Sequence, residues 1–540
     1  MSVKRERNAR NGVKGGGGHI LAIDMGTSAA KAAVVARAGE VLGTGIREIG
    51  MEHLPYGGAE QDPEEWWRAS AAAGREAVRG SGVEPDGFSA VRCTTQWAVT
   101  VPVDASGEAL CNAISWMDTR GGPHVRRMVG GPVRVAGYSP RKAAGWIRRT
   151  AGAPVLGGID GLGHVLHIKH DRPDIYAATA DFLEPMDYLN LRMTGRAAAS
   201  YATIWPYWLT DNRDVESVRY DDRLLRWAGI DREKMPELLP VDAAVGGLTD
   251  AAATELGLRP GTRVLSGLMD TQAATIGAGI VAEGEGYFVV GTTSWLACLA
   301  RRKRTDLSHQ LATMPAALPG RLQVSAEQGP AGRCLDLLKD NLLYDASSPD
   351  GPAPPPDAFE RLERLAAVVP PGSDGLIFTP WVSGVLAPSE DHFTRSAFFN
   401  QTLATTRGHY ARAVMEGIAY NLRWVRPHVE RFAGSSLARL NFIGGGAQSA
   451  LWCQIFADVL GVDVGQVGDP RYANARGAAL AGFLALGEIE PRDVPAAVPI
   501  EATYSPDPAA AAVHDPQFDR FVELYKRNRR IYRRLNRAAR

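Results

Sequence analysis

Two short stretches of this chain share one plan: an apolar strand, a glycine turn carrying hydroxyl side chains, then a second strand. Ile20-Leu-Ala-Ile23 is short, apolar and β-prone, and runs into Asp24-Met-Gly-Thr-Ser28. Residues 31–38 read as a second strand, Gly39-Glu40 as a turn, and a third strand starts at Val41. The plan returns about 265 residues later, where a strand over 287–290 runs into Val289-Val-Gly-Thr-Thr-Ser294 and a further apolar segment covers 295–300. Strand rather than helix follows each glycine, which excludes the strand–GxGxxG–helix unit of a dinucleotide fold. The repetition predicts an internal duplication: two similar domains with a nucleotide between them.

The rest of the chain fits two such domains. Its 540 residues allow roughly two to four domains. With 45% hydrophobic and 22% charged residues the composition is that of a globular protein. Lys+Arg and Asp+Glu are both 60, so no global attraction to nucleic acid or to an anionic membrane is expected. Apolar runs such as 478–486 fall far short of a membrane span. The five cysteines are scattered and never in C-x-x-C spacing, which predicts free thiols in a reducing compartment rather than disulfides or zinc. No histidine pair has ligand spacing. Residues 1–18 read as a flexible basic, glycine-rich tail without the apolar core of a signal peptide.

Asp62-Pro-Glu-Glu-Trp-Trp67 predicts a helix start, with Asp62 as N-cap, Pro63 at N1 and Glu65 completing a capping box, the helix running to about Gly80. Helix and strand signals then alternate, which favours an α/β fold. The Pro-rich stretch 347–357 predicts an exposed loop, 406–428 a helix, and 518–540 an amphipathic closing helix with a stripe through Phe521, Leu524, Tyr525, Ile531, Tyr532 and Leu535. The Trp205-Pro-Tyr-Trp208 cluster predicts packing.

Four segments carry candidate chemistry. A tight turn at Asp24-Met-Gly-Thr-Ser28 turns backbone N–H groups outward, Thr27 and Ser28 add hydroxyls, and the concavity suits phosphate, with Lys31 beside it. Asp24 suits Mg²⁺ held through water. Gly291 and Thr292 offer a second such turn, so the two could clamp one polyphosphate. Asp270, after an apolar strand over 263–265 and a glycine turn, opens a helix of small residues; it suits either an N-cap or a general base for an attacking alcohol. Gly444-Gly-Gly446 with Gln448 lets a flat ring or a phosphate approach the backbone. Gln96, Trp97, Trp116 and Asp118 form a candidate wall for a polyhydroxylated ligand, with core packing of the two tryptophans equally open.

Together these segments resemble the FGGY carbohydrate kinases, in their xylulokinase-like branch, from about Ile20 to the final helix. Glu60-Gln-Asp-Pro-Glu-Glu-Trp-Trp67, Ile114-Ser-Trp-Met-Asp-Thr-Arg120, Asp187-Tyr-Leu-Asn-Leu-Arg-Met-Thr-Gly195, Gly267-Leu-Met-Asp270, 409–417 and 444–449 stand in the family's order. The resemblance implies an α/β fold of two actin/Hsp70-like (ribonuclease H-like) domains with an ATP cleft between them, at 19–279 and 280–505, followed by a C-terminal helix at 506–540. It implies ATP- and Mg²⁺-dependent phosphorylation of a ketopentose such as D-xylulose in the cytoplasm, with no nucleic-acid or membrane partner and a homodimer left open. Asp270 is then the catalytic base; Thr27, Ser28, Lys31, Gly291, Thr292, Gly445, Gly446 and Gln448 bind ATP; Asp24 positions the metal; and Gln96, Trp97, Trp116, Asp118, Asp270 and Thr271 meet the sugar. The chain departs from the family at Gln96-Trp97 for Met-His, at Thr271 for Asn, at Ser383-Gly-Val-Leu-Ala-Pro388 and at Asn400. The alternatives are a kinase for another polyol or modified sugar, and a catalytically silent sugar- or nucleotide-binding sensor on the same scaffold. A chaperone-like ATPase would need a substrate-binding extension that the short final helix does not offer.

Overall fold

The computed structural model describes residues 18–344 and 353–536. Nearly all of the expected tail, residues 347–352 of the Pro-rich loop and the last four residues of the closing helix lie outside the described residues.

Two sheets carry the molecule. The first contains β1 (His19–Met25), β2 (Ala29–Ala36), β3 (Val41–Glu48), β4 (Phe88–Thr95), β5 (Ala244–Gly247) and β6 (Arg263–Met269), in the order β5-β6-β4-β1-β2-β3. The second contains β7 (Gly286–Val290), β8 (Thr293–Ala300), β9 (Thr305–Asp306), β10 (Leu311–Pro315), β11 (Leu322–Pro330), β12 (Arg439–Ile443), β13 (Asp463–Val467) and β14 (Ile500–Tyr504), in the order β9-β10-β11-β8-β7-β12-β13-β14. Each sheet is built outward from its first strand. An antiparallel meander leaves one side (β1-β2-β3, β7-β8-β11) and parallel strands leave the other (β1-β4-β6, β7-β12-β13). The duplication read from the two glycine turns is therefore a duplication of topology.

Side-chain alternation divides the first sheet. Leu21, Ile23 and Met25 enter the core with Trp66 and Trp67 of α1 (Pro63–Ser81), whereas Ile20 and Ala22 face a third core shared with Tyr287, Val289 and Leu299 of the second sheet. Between the sheets cross α2 (Asp270–Gly277) and, late in the chain, α4 (Ala473–Ala485). They cross at glycine: a Cβ on Gly277 would lie 1.9 Å from the Ala473 carbonyl oxygen, and one on Gly477 the same distance from that of Ala273. The long α3 (Arg407–Ala433) lies under the second sheet, and α5 (Pro508–Asn536) closes the fold.

Three expectations need correction. Asp62 does cap α1, accepting from Glu64 N at 2.9 Å, but Glu65 accepts from Gly50 N at 3.1 Å instead of closing a capping box, because the incoming loop supplies a free donor. The glycine turn expected after residue 265 is a bulge; the strand continues through Gly267 to Met269, its register to β4 slipping between Leu265 and Leu268. The stripe of α5 is buried only as far as Tyr525; Ile531 and Leu535 are 54% and 71% exposed among the described residues. All five cysteines are free. No helix among the described residues is long and apolar enough to cross a membrane.

Candidate functional site

The end of β1 and the start of β2 place Asp24 opposite Lys31. Their side chains pair, Lys31 Nζ to Asp24 Oδ2 at 3.0 Å. Asp24's charge raises the Lys31 pKa against the opposing effect of burial. In the turn between them the Gly26 N–H closes onto the Ala29 carbonyl (3.0 Å). The second turn is built alike, the Gly291 N–H bonding Thr293 O at 2.9 Å, while the Gly291 and Thr292 carbonyls accept from Gly332 and Ala331. The glycine N–H groups are thus consumed by the turns themselves. The donors left over are the N–H groups of Thr27, Ser28 and Thr292, which have no backbone partner among the described residues. Gly444, Gly445 and Gly446 sit beside the second turn: a Cβ on Gly444 would come 2.7 Å from Val290 O and one on Gly446 3.0 Å from Val290 Cβ, while Gly445 and Gln448 face outward.

β6 delivers Asp270 to the first position of α2. Its Oδ1 accepts from Thr271 N at 2.6 Å, and the N-cap position belongs to Met269. Burial, then the negative charge of Asp24, push the Asp270 carboxyl up to about 7; the Thr271 N–H, Lys31 and the Trp97 indole N–H oppose the shift. One ammonium therefore serves two carboxyl groups, and the second of them titrates near neutrality.

A chain of hydrogen bonds ties the first turn to the candidate wall. Thr27 Oγ1 donates to Gln96 Oε1 (2.9 Å) and accepts from Trp116 Nε1 (3.3 Å), and Gln96 Nε2 donates to Gln61 Oε1 (2.7 Å). Trp97 reaches Asp270 and packs on Trp205 with ring centroids 5.9 Å apart. Two expected sugar contacts are turned elsewhere. Asp118 is 0% exposed, and its oxygens are occupied by Ala59 N, Arg120 N and Arg120 Nε. It orients Arg120, which also meets Glu60 Oε1 at 2.5 Å. Thr271 is 1% exposed and aims its hydroxyl at Met314 Sδ. Gln61, which the sequence reading passed over, was legible only as part of the Glu60-Gln-Asp-Pro segment.

The fold also joins histidines that are distant in sequence. His124 Nε2 and His167 Nδ1 lie 2.7 and 2.8 Å from Asp171 Oδ2, a constellation able to hold a metal ion. Their far nitrogens, His124 Nδ1 and His167 Nε2, are buried without partners. Hydrogen bonding to Asp171 leaves two lone pairs unmet there, whereas metal ligation would leave two N–H donors unmet, the costlier choice. The trio reads as a structural clasp.

Asp24 suits a hydrated divalent cation: it is buried at the head of the turn, and its Oδ1 carries no hydrogen bond among the described residues. Phosphate-sized turns from both halves, an acid titrating near neutrality and an aromatic–amide wall together suit phosphoryl transfer to an alcohol.

Residues 19–277 match the N-terminal domain of the FGGY family of carbohydrate kinases, and residues 286–486 match its C-terminal domain. The chain is 27% identical to xylulose kinase from Bacillus subtilis (strain 168) over 467 residues, covering 86% of this chain and 88% of that protein. It is 30% identical to glycerol kinase from Dechloromonas aromatica (strain RCB) over 491 residues, covering 87% and 89%. The crystal structure of gluconate kinase from Lactobacillus acidophilus superposes with a TM-score of 0.81 at 20% identity, covering 96% of this chain and 99% of that one, which shows the fold. That fold is the two-domain actin/Hsp70-like one.

Proposed function

Since this chain belongs to the FGGY family of carbohydrate kinases and is an enzyme of that kind, we propose that it transfers the terminal phosphoryl group of ATP to a hydroxyl of a ketopentose such as D-xylulose. Residues 19–279 form the acceptor-binding domain and 280–505 the nucleotide-binding domain in this reading. The reading rests on one observation: the Asp270 carboxyl opens α2 within electrostatic reach of Asp24, Lys31 and the Trp97 indole, and burial raises it to about 7.

Asp270 accepts the proton of the attacking hydroxyl as its oxygen bonds to phosphorus. Thr27, Ser28 and Thr292 give N–H donors to the phosphates, Ser28 and Thr292 add their hydroxyls, Lys31 gives a fixed positive charge, and Gly445, Gly446 and Gln448 border the nucleoside. Asp24 would hold Mg²⁺ through water, and that ion would supply charge neutralisation on the phosphates. Gln96, Trp97 and Trp116 orient the sugar.

A second reading, a kinase for another polyol or a modified sugar, is favoured by Trp97: a bulky indole touching Asp270 reshapes the space where xylulokinases carry histidine. One experiment separates these from the rivals. ADP release is measured with Mg-ATP alone and with a panel of ketopentoses, polyols and modified sugars. Release stimulated by D-xylulose supports the first reading, and stimulation only by another acceptor the second. Sugar-independent turnover would make the protein an ATPase, and none at all a sensor.

A further inference from the structure

β11 sends its side chains to two sides. Val324 and Ala326 join the core around Phe288, and Gln323, Ser325 and Glu327 face the other way. Gln323 fixes where that second face lies, its Oε1 accepting from Thr275 Oγ1 in α2 at 3.1 Å. One turn earlier in α2, the Thr271 carbonyl accepts from Tyr287 OH (2.9 Å), which in turn accepts from Trp295 Nε1 (3.3 Å). Trp295 is the residue paired with Glu327 across β8 and β11. Glu327 therefore stands beside the strand residue whose indole reaches, through Tyr287, the first turn of α2, which Asp270 opens.

The carboxyl there has little company. Ser325 Oγ donates to its Oε1 at 3.2 Å, and no Lys, Arg or His among the described residues forms an ion pair with it. Burial and the neighbouring charge of Asp270 push Glu327 up to about 8. A half-buried acid without a cation destabilises the free protein. At about 8 the Glu327 carboxyl is mostly protonated at neutral pH, a neutral head able both to donate and to accept a hydrogen bond.

On the reading that an alcohol is phosphorylated beside Asp270, we propose that Glu327 is a specificity-determining residue that hydrogen-bonds a second hydroxyl of the acceptor. The test is steady-state kinetics with the best neutral sugar from the panel, using wild type, Glu327→Ala and Glu327→Gln. Glu327→Ala should raise KM for the sugar about 10-fold or more with KM for ATP within about 2-fold, the size of one lost hydrogen bond. Glu327→Gln, which keeps a hydrogen-bonding head, should fall between them at about 3-fold with a melting temperature no lower than that of wild type, and it carries the test if the alanine variant does not fold. An unchanged sugar KM in the variant that folds, or a parallel rise in KM for ATP, would overturn the proposal. Wild type inactive on every sugar would instead remove the kinase reading on which it rests.

Discussion

Lys31 Nζ lies 3.0 Å from Asp24 Oδ2 while also feeling the charge of Asp270, so a single ammonium balances acids from two strands of one sheet. Asp24 ends β1 and Asp270 follows β6, two strands away across the sheet. Their mutual repulsion helps keep Asp270 close to the pH at which a carboxylate can both take up and give back a proton.

Replacing Asp270 by Asn keeps the shape of the site and removes the proton acceptor. Turnover should fall by at least about 100-fold, with KM for ATP within about 2-fold. Steady-state kinetics decide it, and near-normal turnover would release Asp270 from the role.

The pH profile carries a sign. In the proposed role Asp270 is a base only when ionised, and with burial raising it to about 7, kcat/KM should rise with pH through that value and fall tenfold per unit below it. Lys31→Met removes the cation that opposes the shift and leaves the Asp24 charge in place. The acid limb of the residual activity should then move to higher pH; a limb that stays put or moves down contradicts the electrostatics described above.

Gly477→Ala tests the helix crossing. Its new Cβ would meet the Ala273 carbonyl at 1.9 Å, and neither backbone can give way cheaply. A loss of about 1–3 kcal/mol is expected from denaturant unfolding. kcat should fall as well, since α2 carries Asp270.

Asp187 supplies a stability prediction away from the cleft. It is buried, Thr203 donates to its Oδ1 at 3.1 Å, its Oδ2 has no partner, and burial raises its pKa well above the ordinary value. The folded state thus holds the proton while the unfolded chain ionises. Its stability, relative to a variant that cannot ionise, is lost as pH rises above the usual carboxylate range, until the folded group itself ionises. Asp187→Asn should therefore gain on wild type by about 1.4 kcal/mol per pH unit in that window, read as the gap between melting curves at pH 5 and pH 7. A gap that closes on going to pH 7 would contradict it.

Some of this site was legible because the signal is local. A glycine followed by hydroxyl residues between two β-prone runs signals a turn from consecutive residues, and two such turns implied two similar domains. The segment around Asp270 likewise carries its strand–helix junction in consecutive residues. What failed depended on direction. Gly267 looked like a turn residue, yet the strand runs through it at a bulge, and its missing side chain makes room for Met186. Asp118 and Thr271 looked like ligands because they are polar and close in sequence to site residues, but their side chains point to Arg120 and Met314. Glu327 carries no motif; only the pairing of β8 with β11 and the crossing of α2 bring it to the cleft. His124 and Asp171 meet for a similar reason, being on different helices.

The glycine contacts between α2 and α4 have one more consequence. Gly277 and Asp270 are the two ends of the same short helix, so the tight backbone contact at one end helps fix the seat of the carboxyl at the other.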